Sequence, residues 1–459
     1  MMKAERLAKI AAVMKGKLVP KEAGEVYARG VSVDSRTIAP GEVFFALKGK
    51  RDGHDFVSHA YQNGAIAAVV ERKVDVDIPQ IIVDDTLFAL GELAKEYRRN
   101  LNPKTIGITG SVGKTTTREM IAKILATKYT THSAKKNYNN LIGLPLTILE
   151  MGEDVEFALV ELGINTVGEM ERLSEIAAPD VAVITSIAPV HTEGLGSVEN
   201  IFSEKIRITN HMPPDSTVII NADCDELISV ADKINRRVIT FGINRGDYKP
   251  IELSFVNGKA SFTFRGISFK LNALGRGAVY SALAAIAVAD FFDVPLVIAS
   301  KALELFEPPP SRLNLIKAGN VTIIDDSYNS NPVALDEALG VLAMLDAKRK
   351  VAVLGDMLEL GEYEEMYHRK VADLIKKHGV DVAFLFGPRM ELANARALEM
   401  GLDSEIFWFA DPEELETQLL EEVRDGDLIL VKGSNAMGMK RFVESLVEKF
   451  GVAKADEEG

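Results

Sequence analysis

Residues Ile106–Thr117 read IGITGSVGKTTT, an apolar run that feeds a glycine-rich turn and then Gly-Lys-Thr. Each residue type has a task in holding a phosphate chain. Glycines such as Gly110 and Gly113 let backbone N–H groups approach phosphate oxygens. A helix opening at Lys114 adds the favourable end of its dipole. Lys114 would neutralise the outer phosphates, and the Thr115 hydroxyl would coordinate magnesium. The candidate nucleotide contacts of this loop are Gly110, Ser111, Gly113, Lys114, Thr115 and Thr116. The strict eight-residue pattern wants glycine at 108, where Ile108 stands between Gly107 and Gly110, so the loop is a variant. A glycine-rich turn that binds nothing is the weaker reading, because Gly-Lys-Thr follows a strand and opens a helix.

Other polar residues sit where apolar strands end, the place where open parallel sheets bind ligands. Glu161 closes the run Phe157–Val160, and His191 lies just past Val181–Ile187. Magnesium takes oxygen ligands and shares substrate phosphates, which makes Glu161 a reasonable direct or water-mediated ligand. His191 is a less typical magnesium ligand; alone it reads as a polar loop residue. Asp325 and Asp326 close Val321–Ile324, and a helix cap is as good a reading for them as a site. Lys205 is the oddity. It shares a stripe with Val198, Ile201, Phe202 and Ile208 by three- and four-residue spacing. A lysine there must snorkel, pair or lose its charge. A desolvated amine is nucleophilic and can take up carbon dioxide as a carbamate. Spacing alone favours the snorkelling lysine.

These residues need a scaffold, and the chain is long enough for several. It has 459 residues, 47% hydrophobic and 26% charged, so two to four soluble domains are expected. The apolar runs are too short to span a bilayer, and charges interrupt the N-terminal stretch, so neither membrane segment nor signal peptide is expected. The net charge of −14 argues against a nucleic-acid binder. Cys224 is the one cysteine, which excludes an intrachain disulfide and fits a reducing cytoplasm.

Three segments differ in texture: 1–103, 104–308 and 309–459. The first mixes a helix over Ala4–Met14 with strands at Gly30–Val33, Val43–Leu47, Ala67–Val70 and Gln80–Val83, then a helix over Leu87–Arg99. The second alternates strands (Thr105–Thr109, Phe157–Glu161, Val181–Thr185, Thr217–Asn221) with helices (Gly113–Thr127, Val167–Ala177), the pattern of a parallel α/β sheet. A hairpin over Ile251–Leu271, turning at Asn257-Gly258, interrupts it, and helices Val279–Phe292 and Pro295–Phe306 follow. Pro308-Pro309-Pro310 then breaks the chain. A second α/β run carries strands at Val321–Asp325, Lys350–Leu354, Val382–Phe386, Ile406–Phe409 and Asp427–Val431, with helices over Pro332–Leu345 and Lys440–Phe450. The tail Ala455–Gly459 reads as frayed.

TGSVGKTTT, NYNNLIGLP (137–145), VELG (160–163), IAPVHTEGLGS (187–197), DDSYNSNP (325–332), VLGDMLELG (353–361) and LVKGSNAMGM (430–439) together resemble the Mur ligase family, and residues 31–56 resemble its uridine-nucleotide domain. The resemblance spans essentially the whole chain in the family's order. It implies an α/β fold of three domains: a small UDP-substrate domain, a central P-loop ATPase domain with a parallel sheet, and a C-terminal Rossmann-like domain. It implies ATP-dependent amide formation through an acyl phosphate. The motifs are most like those of members joining D-alanyl-D-alanine to UDP-N-acetylmuramoyl-tripeptide; the Asp-Asn-Pro-Arg motif of diaminopimelate-adding members is not found. By motif alignment Lys114, Lys205, His191 and Asp326 are catalytic; Thr115, Glu161, His191 and Lys205 form the metal site, with two magnesium ions. Lys205 aligns with the family's carbamylated lysine, which reverses the snorkelling reading. Asn139, Asn140, Arg312, Asp326, Tyr328 and Asn329 join the loop in binding ATP, while Ser35, Arg36 and Asn331 are substrate contacts. A cytoplasmic monomer is expected. One departure stands out: relatives often carry Gly-Arg-His-Asn where this chain has Gly275, Arg276, Gly277 and Ala278. The resemblance implies that the histidine and asparagine replaced here belong to the adenine or ribose side of the nucleotide site. A phosphate-loop ATPase acting as a switch is the reading from another class, and acceptor dependence of phosphate release separates the two.

Overall fold

The computed structural model describes residues 2–135, 137–190 and 192–451; His191 and the tail Ala455–Gly459 lie outside the described residues. The central sheet has six parallel strands in the order Arg237–Phe241, Thr217–Asn221, Val181–Ile184, Lys104–Thr109, Phe157–Glu161, Thr131–Ser133. Its strands are covered on both faces, which is why they read as continuous apolar runs. Successive side chains point to opposite faces. Ile106, Ile108, Phe157, Leu159, Val181 and Val183 pack with the helices Lys114–Leu125 and Gly275–Phe291. Ala158, Val160, Ala182 and Ile184 pack on the other side with Leu144, Ile148, Leu173 and Ile176.

That second core is continuous with the first unit. Leu90 and Leu93, on the helix Thr86–Leu101, belong to it along with Phe45 and Val69 of the first sheet. Asp85 caps that helix by accepting from Phe88 N–H (2.8 Å), and Asn102 in the left-handed conformation ends it. The first sheet has five strands, ordered Lys17–Val19, Gln80–Ile82, Ala67–Val70, Glu42–Phe45, Gly30–Ser32, with Lys17–Val19 antiparallel.

The expected hairpin is part of a three-stranded antiparallel sheet, Ile251–Val256, Lys259–Phe264 and Ile267–Leu274. Asn257 and Gly258 both have positive φ (48° and 71°), the turn that asparagine-glycine favours. A second such turn at Arg265-Gly266 (44° and 77°) adds the unforeseen strand. Arg265 is held in its uncommon conformation by Asp290 Oδ2 (2.7 Å) and by the rings of Tyr248 and Phe264.

The third sheet runs Asn314–Ala318, Val321–Asp326, Asp427–Lys432, Arg349–Gly355, Val382–Phe386, Glu405–Phe409, parallel except for the first strand, which the sequence did not reveal. After the prolines, Ser311 Oγ donates to Asp325 Oδ2 (2.9 Å) and Asn314 Nδ2 donates to the Pro308 carbonyl (3.2 Å), so the linker is stitched to this third unit. No helix among the described residues is long and apolar enough to cross a membrane.

Candidate active site

The strand Lys104–Thr109 lies inside the central sheet, so its carboxyl end opens between neighbours on both sides. Gly110 (φ 142°) and Gly113 (φ 86°) make the turn into the helix Lys114–Leu125. A side chain on Gly110 would overlap the Thr185 hydroxyl and stand 3.0 Å from Ser186 N, so this glycine is needed for space as well as conformation. The loop is tied to the next strand's exit: Ser111 N donates to the Ser186 carbonyl (2.8 Å), Ser111 Oγ to the Ala188 carbonyl (2.9 Å), and Val112 N to Ser186 Oγ (3.0 Å). Lys114 Nζ folds over the loop and donates to the Gly110 carbonyl (2.8 Å). Desolvation holds its ammonium below the ordinary lysine value; the Arg312 cation adds to this and Glu161 opposes it.

Glu161 stands at the end of the neighbouring strand, paired in register with Ile108, and is 1% exposed. Its Oε1 lies 3.0 Å from Arg118 Nη1, an ion pair whose geometry falls outside a hydrogen bond, leaving Oε1 buried without a hydrogen-bond donor. Asn139 Nδ2 approaches Oε2 at 3.5 Å. Asn140 uses its oxygen on the N–H groups of Ile142 (3.1 Å) and Gly143 (2.9 Å), capping the helix Gly143–Leu149. Only its amide nitrogen is left for a ligand.

The third unit supplies the facing wall, and there the doubled aspartate divides its labour. Asp325 faces inward and accepts from Ser311 Oγ (2.9 Å) and Ser327 Oγ (2.6 Å). Asp326 faces the cleft, where its Oδ2 meets Lys432 Nζ at 2.5 Å. Burial raises the Asp326 carboxyl above the usual carboxylate value, against the pull of Lys432 and Arg312. Lys432 is 2% exposed and also donates to the Asn329 carbonyl (2.8 Å). The Arg312 guanidinium lies 4.2 Å from the centre of the Tyr328 ring, a stacked cation. Asn331 caps the helix Pro332–Met344 by accepting from Ala334 N–H (2.9 Å).

Thus one cleft of about 530 Å³ gathers Ser111, Gly113, Lys114, Thr115, Thr116, Asn139, Asn140, Glu161, Arg312, Asp326, Tyr328, Asn329 and Asn331. Contacts from loop to loop close one end: Thr192 Oγ1 donates to the Leu360 carbonyl (2.7 Å) and Glu193 N to the Glu359 carbonyl (3.2 Å). Ser35 and Arg36 are elsewhere, in the first unit. Ser35 Oγ pairs with His59 Nδ1 (3.0 Å), and Arg36 is bidentate on Asp34 (2.9 and 2.7 Å).

Lys205, on the helix Val198–Ile206, is 1% exposed, which overturns the snorkelling reading. Desolvation, with repulsion from Lys114, holds its ammonium well below the ordinary lysine value. The arrangement fits a divalent cation of the magnesium type. Among the described residues no group of three His, Cys, Asp or Glu side chains could hold a metal alone. Glu161 Oε1, ion-paired with Arg118, is nevertheless a buried acceptor without a hydrogen-bond donor in a cleft that Thr115 also lines, and magnesium completes its shell with water and phosphate oxygens. Sequence reasoning missed Arg118 and Lys432. Each is a lone charge on a regular element, and only the buried partner across the fold gives it meaning.

Comparison with known proteins agrees. Residues 28–129 match the Mur ligase family catalytic domain, 108–289 the Mur ligase middle domain, and 311–435 the Mur ligase glutamate ligase domain. The chain is 36% identical over 448 residues to the UDP-N-acetylmuramoyl-tripeptide–D-alanyl-D-alanine ligase of Bacillus subtilis, covering 96% of this chain and 97% of that one. The Escherichia coli ligase of the same name is 33% identical, with 96% and 98% covered. Among solved structures, MurF from Acinetobacter baumannii superposes with a TM-score of 0.90 at 30% identity, covering 97% of this chain and 99% of that one. MurF from Thermotoga maritima in complex with ADP gives 0.82 at 29%, with 92% and 98% covered.

Proposed function

The chain belongs to the Mur ligase family, and from that premise we propose how its cleft works. The protein is an ATP-dependent UDP-N-acetylmuramoyl-tripeptide–D-alanyl-D-alanine ligase. It completes the pentapeptide precursor of peptidoglycan, and in this reading it does so as a cytoplasmic monomer. The observation that carries the mechanism is the single cleft, with a phosphate loop on one wall and Arg312, Asp326 and Lys432 of the third unit on the other.

A tripeptide carboxylate is a poor electrophile. Its oxygen attacks the γ-phosphorus, the bond from that phosphorus to the bridging oxygen breaks, and ADP departs. The acyl phosphate so formed has a good leaving group. The D-alanyl-D-alanine amine then attacks the acyl carbon, loses a proton, and expels phosphate. Lys114 and Arg312 stabilise charge on the transferring group, and Asn139 orients Glu161. Magnesium, when bound, would neutralise phosphate oxygens. Thr115 and Glu161 would hold it, with His191 and a carbamylated Lys205 completing the set, for two ions in all. The lysine's support is its burial and its depressed basicity. The contacts of Thr192 and Glu193 with the loop at Glu359-Leu360 keep bulk water from the acyl phosphate. Ser35 and Arg36 contact the uridine nucleotide in the first domain (1–103), with ATP in the second (104–308), and Asn331 contacts substrate in the third (309–459).

The test is phosphate release from ATP and magnesium with UDP-N-acetylmuramoyl-tripeptide, with and without D-alanyl-D-alanine, with mass analysis of the product. Release requiring both substrates, and a product heavier by the dipeptide less water, is expected. Release indifferent to both would make the switch-type ATPase the better reading.

A further inference from the structure

The positions where the sequence departs from the family's Gly-Arg-His-Asn pattern carry a consequence of their own. The helix Gly275–Phe291 starts beside the phosphate loop. A Cβ built on Gly113 would stand 3.6 Å from Ser281 Oγ. Ala278 and Gly277, one turn back from Ser281, continue the same wall of the cleft. The opposite wall comes from the helix Pro332–Met344, where Asn331, Ala334 and Glu337 recur at three-residue spacing. With Leu274 these residues line one stretch of the cleft that also holds Lys114 and Glu161. Its walls mix apolar Leu274, Ala278 and Ala334 with polar Ser281 and Asn331, and Glu337 is the ionisable side chain on the helix wall. A nucleoside attached to phosphates on the loop needs such a stretch: apolar walls for a flat base and a few polar groups to fix it.

Glu337 reaches across the domain boundary because residue 277 has no side chain. Its Oε1 accepts from Gly277 N–H. A Cβ on Gly277 would lie 2.6 Å from Glu337 Oε2 and 2.8 Å from its Cδ, so a histidine at 277 and this glutamate pose exclude each other. The second oxygen, Oε2, has no hydrogen-bond partner among the described residues. A carboxylate has lone pairs to spare after one backbone contact.

We propose that Glu337 is the specificity-determining acceptor for the nucleoside of the bound triphosphate. It takes hydrogen bonds from donor groups on the base or ribose, in the place that the Gly277 and Ala278 replacements vacate. The proposal rests on the reading of this cleft as the ATP site. It makes nucleotide selection a property of the third domain, delivered onto the central one.

The test compares the whole enzyme with Glu337→Ala and Glu337→Gln by equilibrium binding and by KM. The nucleotides are ATP, purine riboside triphosphate (which lacks the exocyclic amine), 2′-deoxy-ATP and 3′-deoxy-ATP. Loss of a hydrogen bond to a charged group is worth about tenfold or more. Glu337→Ala should raise KM and Kd for ATP by about that factor, with Glu337→Gln in between. One analogue should already show that loss with the native enzyme and lose little more with the variant, which identifies the base or the ribose as donor. Equal ATP affinity in native and variant enzymes would overturn the proposal. So would a loss shared equally by ATP and every analogue together with a lowered Tm, the signature of a helix cap only. A native enzyme that binds no ATP would sink the nucleotide reading itself, a result distinct from native binding that Glu337→Ala leaves untouched.

Discussion

Replacing Lys432 with methionine, which keeps the bulk and removes the charge, isolates the Asp326–Lys432 pair. Lys432 is buried, and its Nζ meets Asp326 Oδ2 at 2.5 Å. Removing one partner of a buried pair typically costs about 3–5 kcal/mol. A second route gives the same size. The stranded aspartate escapes by taking up a proton, and holding a carboxyl of ordinary pKa about 3.9 neutral at pH 7 costs about 4 kcal/mol at about 1.4 kcal/mol per unit. The sign follows from burial, which already raises the Asp326 carboxyl in the folded protein. Loss of the cation raises it further. A group with a raised folded pKa contributes stability that is full below its unfolded pKa and lost as pH rises through the folded one. Because the native carboxyl is already raised, the deficit of Lys432→Met by this route is at most about 1.5 kcal/mol at pH 5 and at most about 4 kcal/mol at pH 7. The chain's one tryptophan, Trp408, lies in the third sheet with its Nε1 donating to the Gly387 carbonyl (2.9 Å). Its fluorescence during urea unfolding thus reports the unit that carries the pair. A deficit under about 1 kcal/mol at pH 7, or one equal at both pH values, would refute the reasoning.

Lys205→Ala should abolish ligase activity, and short carboxylates added to the assay should restore part of it; absence of rescue, with an unmodified lysine seen by crystallography, would end the carbamate reading. Gly110→Ala should lose ADP binding measured by titration, because the new methyl collides with Thr185 at a φ of 142° that L residues avoid; binding within about twofold of native would contradict this. Burial and the Glu226 carboxylate push the Cys224 thiol up to about 11, so its reaction with an aromatic disulfide should be slow at pH 8 and accelerate tenfold per unit until pH passes that value. A plateau already at pH 8–9 would show that the thiol is not suppressed.

Much of the architecture was legible because the sheets are buried on both faces. Phe157–Glu161, Thr217–Asn221 and Val382–Phe386 appear with the bounds their apolar runs suggest. Asn314–Ala318 was not legible: it is a half-exposed edge strand directly after prolines, with little apolar signal. Ile267–Leu274 was merged with the hairpin before it, because Arg265-Gly266 is a poor turn signal unless Asp290 is known to be near. In the site, the phosphate loop announced itself through a local motif. Arg118 gained its role only when folding brought Glu161 beside it, and the stripe that holds Lys205 was visible while its depth was not.

Lys114 already has an acceptor, the Gly110 carbonyl of its own loop. Phosphate therefore does not bind to a waiting charge; it displaces an intramolecular competitor. A ligand with one weak negative oxygen trades one hydrogen bond for another and gains little. A polyphosphate, which also engages the loop's N–H groups and hydroxyls, gains several charge-assisted bonds for the one surrendered. The loop is thereby expected to prefer a polyphosphate over a single phosphate or carboxylate.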